Sequence, residues 1–121
     1  MLPRKQRLTK RSEFAAVSRH GRVWRSRLLV VRARRYDRED ARFGLSVSKR
    51  VGKAIVRNRV KRRLREILRH TDVIPGWDIV ISARQEAAAA AFAELRHSLH
   101  DVLRRGRLLA QPVPTAPQDG R

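Results

Sequence analysis

At 121 residues the chain fits one domain with a modest hydrophobic core. Its 30 Lys and Arg against 11 Asp and Glu leave a formal net charge of +19, which calls for a polyanionic partner, and the absence of cysteine excludes disulfides and thiolate metal sites. No run approaches the roughly 18 apolar residues of a membrane span, and the basic start MLPRKQRLTKR has no apolar stretch behind it to make a signal peptide, so a cytoplasmic protein is expected.

Residues 1–8 are basic, contain Pro3 and read as an extended arm. Thr9 can cap a short helix reaching Ser18 or Arg19, with Phe14 and Val17 on one face and Glu13 near the positive end of the helix dipole. His20-Gly21 should stop it, glycine taking the left-handed position that follows many helices. Residues 22–25 read as a short strand and residues 28–35 as a longer one, rich in Leu and Val. Residues 36–41, YDREDA, are polar and read as a hairpin connection. Residues 42–49 alternate: Phe43, Leu45 and Val47 point one way, Gly44, Ser46 and Ser48 the other. That small, polar face leaves room for a close approach, by a helix or by a ligand. Residues 51–54 make a glycine-containing turn into a helix over about 54–70. Pro75-Gly76 breaks the chain, and residues 77–84 read as a buried strand. Residues 85–91 are alanine-rich and helix-favouring. Phe92, Leu95, Leu99, Val102 and Leu103 then mark a last amphipathic helix ending near Arg105-Gly106. Residues 111–121 have proline at three positions and no core residues; they read as a disordered tail, leaving 1–110 as the folded domain.

The order α-β-β-β-α-β-α defines a single α+β domain, with a four-stranded mixed sheet and three helices. Residues 42–49, 54–70 and 78–84 form a β-α-β unit whose strands should be parallel, and the general handedness rule predicts a right-handed crossover.

The segment 49–69, KRVGKAIVRNRVKRRLREILR, holds ten Lys and Arg and one carboxylate, Glu66. Ile55 or Val56, then Val60, Leu64, Ile67 and Leu68, recur at three- and four-residue steps and form one apolar stripe. Arg57, Lys61 and Arg65 make one i, i+4 row with Asn58, Arg62 and Arg69 beside it. Arg59 and Arg63 make another row on the far side of the stripe. Like charges at this spacing destabilise a helix by a few tenths of a kcal/mol per pair, and a polyanion relieves that repulsion. Most of the cations are arginine, whose planar fork matches phosphate in a bidentate way, so a nucleic acid is the expected partner. A membrane-bound helix would want a broad apolar face bearing Trp or Phe. This one has no aromatic residue, and no membrane partner is expected.

The stretch 42–66, RFGLSVSKRVGKAIVRNRVKRRLRE, resembles the protein subunit of bacterial ribonuclease P. It carries Arg57-Asn58-Arg59, the RNR tripeptide of that family, eight residues after a GLSVSK strand, with Lys61-Arg62 continuing the helix. Arg7-Leu8, Glu13-Phe14 and His20-Gly21 are similar to the family's amino-terminal helix and the turn after it. The resemblance covers most of the chain before the tail. It implies a left-handed β-α-β crossover, as in a domain of elongation factor G and in ribosomal-protein-like folds. It also implies an accessory role in an endoribonuclease. The RNA subunit does the chemistry, with Mg2+ bound mainly by RNA: metal-bound water attacks a phosphodiester and releases the 5′ leader of precursor tRNA.

The implied partners are that catalytic RNA subunit and precursor tRNA, with no small-molecule substrate. On this resemblance, Lys53, Arg57, Asn58, Arg59, Lys61, Arg62, Arg63 and Arg65 contact the RNA subunit. A cleft between the first helix and the sheet, formed by Arg7, Arg11, Phe14, Arg32, Ser46, Ser48 and Lys49, holds the single-stranded leader. Phe14 matches an aromatic of that cleft on which a base can stack; periodicity alone also allows ordinary helix core packing. Ser18 and Arg32 stand where many members carry further aromatics. There arginine would offer charge and a stackable plane instead.

An enzyme in its own right would need a nucleophile with a base, a carboxylate pair or a metal cluster, and no such constellation stands out, so no catalytic residue is assigned. Asp37, Glu39 and Asp40 read as a solvated loop. His97 and His100 lack a third ligand, so no metal site is assigned; His20 and His70 read as structural. The alternative function is a structural RNA-binding protein of ribosomal type.

Overall fold

A computed structural model describes residues 7–36 and 40–110. The tail expected at 111–121, Asp37 and Glu39 lie outside the described residues. The elements, in chain order, are α1 (Arg11–His20), β1 (Arg22–Arg25), β2 (Leu29–Arg35), β3 (Arg42–Ser46), α2 (Ala54–Arg69), β4 (Trp77–Ala83) and α3 (Phe92–Arg105), with 3-10 turns at Lys49–Val51 and Gln85–Ala89. The sheet order is β1-β2-β4-β3. β2 runs antiparallel to β1 and β4, while β3 runs parallel to β4, as the β-α-β reading requires.

The hairpin expected across residues 36–41 does not form, because β4 lies between β2 and β3. β4 buries four consecutive residues, Asp78 to Ile81, and so takes a central place where both faces and both edges are covered. A polar connection between two strands does not reveal that a third inserts between them.

The register sorts side chains into two faces. Leu29, Val31, Ala33, Phe43, Ile79 and Ile81 form the main core with Val60, Leu64, Ile67 and Leu68 of α2 and Leu95, Leu99, Val102 and Leu103 of α3. The opposite face carries the cross-strand row Val23–Arg32–Val80–Gly44. There α1 seals a small second core of Leu8, Val17 and Val80, with Phe14 packed against it. A buried Leu or Ile is worth roughly 1.5–3 kcal/mol, so the α2–α3 face carries most of the stability and the α1 face is the thinner layer.

Two terminus expectations change. Thr9 does not cap α1; instead Glu13 Oε1 accepts the backbone N–H of Thr9 and Lys10 at 3.2 and 3.0 Å. Gly21 is extended (φ −88°), not left-handed. Glycine is needed there because a Cβ would lie 2.8 Å from the Ala33 carbonyl oxygen. The positive-φ glycine on the way to the functional helix is Gly52 (φ +153°), just before α2.

Candidate nucleic-acid interface

α2 seats itself by Val60, Leu64, Ile67 and Leu68, all buried, with Val56 half-buried at the start of the stripe. Ile55, the other candidate, is 79 % exposed. At 100° per residue this seam turns Asn58, Arg62 and Arg69 outward as an exposed crest. Arg57, Lys61 and Arg65 flank the crest on one side, half-buried; Arg59 and Arg63 flank it on the other. The RNR tripeptide is therefore split, with Arg57 on one flank, Asn58 on the crest and Arg59 on the opposite flank.

The two flanks differ chemically. Arg59 Nη2 donates to the Ala88 carbonyl at 3.0 Å, and Arg63 Nη1 donates to the Ala90 carbonyl at 3.1 Å. These arginines tie α2 to the chain segment between β4 and α3. Sequence periodicity placed both on the right row, but the carbonyls they reach are more than 25 residues away and carry no side-chain signal. The Nε atoms of Arg57 and Arg59 are buried without a hydrogen-bond partner, so each guanidinium keeps unused donor capacity. Lys53 precedes α2 and supplies no side-chain cap, which leaves the positive end of the helix dipole to the exterior. Along the crest, Asn58, Arg62, Arg65 and Glu66 line a cleft of about 350 Å³. Glu66 does not neutralise it. Its carboxylate accepts from His70 Nε2 at 3.0 Å and Arg69 Nη2 at 3.2 Å, and the His70 hydrogen bond and Arg69 charge hold its pKa below the ordinary value.

Across the sheet, Phe14 is half-buried over Gly44, where a Cβ would stand 2.5 Å from its Cε2 and Cζ atoms. The room left by the small face of β3 is thus taken by a helix side chain. Leu8 N–H donates to the Phe43 carbonyl at 2.7 Å, and Arg7 bridges Phe43 in parallel, so the arm adds a short segment to the edge of β3. Arg32 lies in the same cross-strand row as Val80 and Gly44. Ser46 is exposed on this face, next to Ser82 of β4; Ser48, Lys49 and Arg11 are also exposed. Ser18 is exposed too, so nothing replaces the family's second aromatic at that point. Ser48 also lines a cleft of about 380 Å³ at the carboxyl ends of β3 and β4, with Arg50, Arg84, Gln85 and Glu86.

Sequence reasoning missed what fixes α1 to this face. Arg42, only 8 % exposed, forms a bidentate pair with Asp78 (Nε to Oδ1 and Nη2 to Oδ2, both 2.9 Å) and reaches Glu13 Oε2 through Nη1 at 2.7 Å. The Asp78 hydrogen bonds, aided by Glu13, raise the Arg42 pKa further against its desolvation. Burial pushes the Glu13 carboxyl up, but the Lys10 N–H, the Arg42 guanidinium and the Thr9 N–H together hold it below the ordinary value. The available signal was an Arg and an Asp at register-matched starts of two adjacent parallel strands, Arg42 opposite Asp78.

Among the described residues no group of three or more His, Cys, Asp or Glu could hold a metal ion, and no helix is long and apolar enough to cross a membrane. His100 Nε2 lies 2.9 Å from Thr71 Oγ1.

A parallel strand pair bridged by a cationic helix, with a second polar cleft at the carboxyl ends of β3 and β4, defines an α+β domain that can meet RNA. The ribonuclease P family profile matches residues 2–107. The chain is 45 % identical over 127 aligned residues to the ribonuclease P protein component of Rhodococcus jostii, spanning 96 % of this chain and 99 % of that one. It is 44 % identical over 117 residues to that of Beutenbergia cavernae, spanning 94 % and 98 %. The structure superposes on the RNase P protein of Staphylococcus aureus with a TM-score of 0.80 at 29 % identity, covering 86 % of this chain and 97 % of that one. For the Thermotoga maritima RNase P protein the TM-score is 0.76 at 30 % identity, covering 82 % and 96 %. The chain belongs to the ribonuclease P protein family. It works with the RNA subunit in precursor-tRNA processing, and its element order and crossover are consistent with the left-handed connection of that fold.

Proposed function

We propose that the crest of α2 binds the ribonuclease P RNA subunit while the α1 face of the sheet holds the 5′ leader of precursor tRNA. Asn58, Arg62 and Arg65, with Lys53, Arg57 and Lys61 beside them, contact the RNA subunit's phosphates. Arg59 and Arg63 add charge to the same field while bracing the segment before α3. On the other face Phe14, Arg32, Ser46, Ser48 and Lys49 border the leader path, and Arg7 and Arg11 approach it from the amino-terminal side. The observation that carries this reading is the placement of α2 and α1 on opposite faces of one sheet. One protein can then touch two RNA strands at once.

In this reading the RNA subunit performs the hydrolysis with Mg2+ that it largely holds itself, and the protein is its cytoplasmic accessory subunit. The chain's own residues bind, orient and neutralise phosphate. Precursor-tRNA cleavage should be measured with protein alone, RNA subunit alone and both together, across a Mg2+ series. Cleavage by the pair at lower Mg2+ than the RNA alone needs is expected. Cleavage by the protein alone would overturn the assignment of the chemistry to RNA.

A further inference from the structure

A cleft of about 500 Å³ opens between the last turn of α2 and α3, away from the Phe14 face, and none of the roles above uses it. Glu66, Ile67 and His70 line one side; Phe92, Arg96 and His100 line the other. The last three recur every four residues and so share one face of α3. Ile67 is 2 % exposed and Phe92 is half-buried against the main core, which gives the cleft an apolar floor with part of an aromatic ring in it.

The polar groups around that floor are of both kinds. The Thr71 hydroxyl donates to the Ile67 carbonyl at 2.7 Å, so its oxygen accepts from His100 Nε2–H at 2.9 Å. Burial, with Arg96 and His97 nearby, pushes the His100 pKa down. The ring is then neutral near pH 7, with its proton on Nε2 and Nδ1 left as an acceptor. Glu66 is a second acceptor, and Arg96 is the donor; the His70 Nε2–H is already held by Glu66. A volume of this size holds one small planar group. An apolar floor with an aromatic ring, mixed donors and acceptors, and a flanking arginine match a nucleobase with its phosphate. A lipid headgroup or a simple carboxylate would leave the acceptors unused.

The cleft also adjoins the α2 crest, since Glu66 lines both. We propose that it takes one unstacked nucleotide of the RNA subunit, the base over Phe92 and Ile67 and the phosphate at Arg96. The RNA interface then extends from α2 onto α3. The inference rests on the assignment of the α2 crest to the RNA subunit.

The chain has no cysteine, so a single one gives a unique attachment point. Ala93→Cys, exposed on α3 beside the cleft, leaves all six lining residues in place. Arg62→Cys marks the crest. Each would carry an azidophenacyl photocrosslinker in the full chain assembled with the RNA subunit and precursor tRNA. Crosslinks from both positions to the RNA subunit are expected. A crosslink from Arg62→Cys with none from Ala93→Cys overturns the cleft and leaves the crest reading standing; none from either overturns both. A crosslink from Ala93→Cys only to precursor tRNA or to a second protein copy also overturns the proposal. As a second measurement, Arg96→Glu should weaken RNA-subunit binding about tenfold and lower the slope of log affinity against log salt by about one or two. An equal loss from Arg104→Glu, at the far end of α3, would show generic charge in place of a site.

Discussion

Gly44→Ala tests whether the face opposite the main core is organised by one ring contact. An added methyl would lie 2.5 Å from Phe14 Cε2 and Cζ and 3.2 Å from Leu8 Cδ1. Carbon atoms prefer roughly 3.5–4.0 Å, so the ring must retreat by about 1 Å. Overpacking typically costs about 1–3 kcal/mol. Phe14 is half-buried and can swing toward solvent, which puts the expected cost near 1–2 kcal/mol. Phe14→Ala alone should cost about 2 kcal/mol, the lower part of the range for a buried phenylalanine scaled to its partial burial. In the Phe14→Ala background the clash is gone and only the milder Leu8 contact remains, so Gly44→Ala should then cost almost nothing. The two changes should therefore couple by about 1–2 kcal/mol, well above the scatter of independent sites. Urea unfolding of the four proteins in a sulfate-containing buffer gives the cycle. Additive losses would refute the reasoning, because they would mean that the ring does not sit on Gly44. The functional half of the assay is affinity against leader length. If the displaced ring borders the leader path, Gly44→Ala holoenzyme should bind mature tRNA as wild type does and lose about tenfold on a long leader. A loss independent of leader length would make Phe14 a packing residue only.

Folding should depend on anions, since α2 crowds its cations on one helix: far-ultraviolet circular dichroism should gain helix when sulfate is added, and a full signal in dilute buffer would refute this. Arg62→Ala should lower the salt slope of RNA-subunit binding by about one without changing the melting temperature. Arg59→Ala should instead cost about 1 kcal/mol of stability through the lost Ala88 hydrogen bond; identical behaviour of the two variants would show that the flanks do not differ. Glu13 has its carboxyl pKa lowered in the fold, so its contribution is present above the ordinary value of 4.5 and is lost as pH falls through the lower folded value. Glu13→Gln should therefore be less stable than wild type at neutral pH, with the gap closing on acidification below that window; a gap unchanged between neutral and strongly acid pH would refute the role given to the carboxylate.

The elements of the fold were legible because hydrophobic period reports them directly. The stripe on α2, the alternation in β3 and the amphipathic α3 all stand within a few residues of their expected bounds. The parallel β3–β4 pair followed from the β-α-β reading; what failed was the hairpin between β2 and β3. Whether β3 neighbours β2 or β4 depends on which strand is buried on both sides, and the polar residues 36–41 say nothing of that. The candidate interface was legible to the same depth. The rows of arginines on α2 follow from 3.6 residues per turn, but the engagement of Arg59 and Arg63 with distant backbone carbonyls follows from tertiary approach. Arg42 illustrates the limit most sharply. In a chain with thirty cations it reads as one more surface charge, yet it is buried between two carboxylates from α1 and β4. A charge count does not separate cations that face RNA from those that hold the fold.

That separation bears on how the protein can meet two RNAs. Near the core, guanidinium groups are met by fixed oxygen atoms: Arg42 by Asp78 and Glu13, and Arg59 and Arg63 by carbonyls before α3. A carbonyl carries no net charge, so Arg59 and Arg63 keep their full positive charge while their position is fixed. They act as a fixed background field for the crest, which needs no reordering when phosphate arrives. Crest residues such as Arg62 are exposed, so phosphate binding there, as proposed, would release counterions and give the affinity its salt dependence. On the α1 face, Arg42 is matched by two carboxylates, Glu13 and Asp78, so its cation is fully compensated within the fold and adds nothing positive around Phe14. On the proposed assignment the two faces use different physics: a preset cationic field for the RNA subunit, and a positioned aromatic edge with scattered cations for the leader. Substitutions on α2 should accordingly act through salt dependence, and substitutions around Phe14 through leader length. A variant of α2's crest that changed leader-length dependence at constant RNA-subunit occupancy would contradict this division.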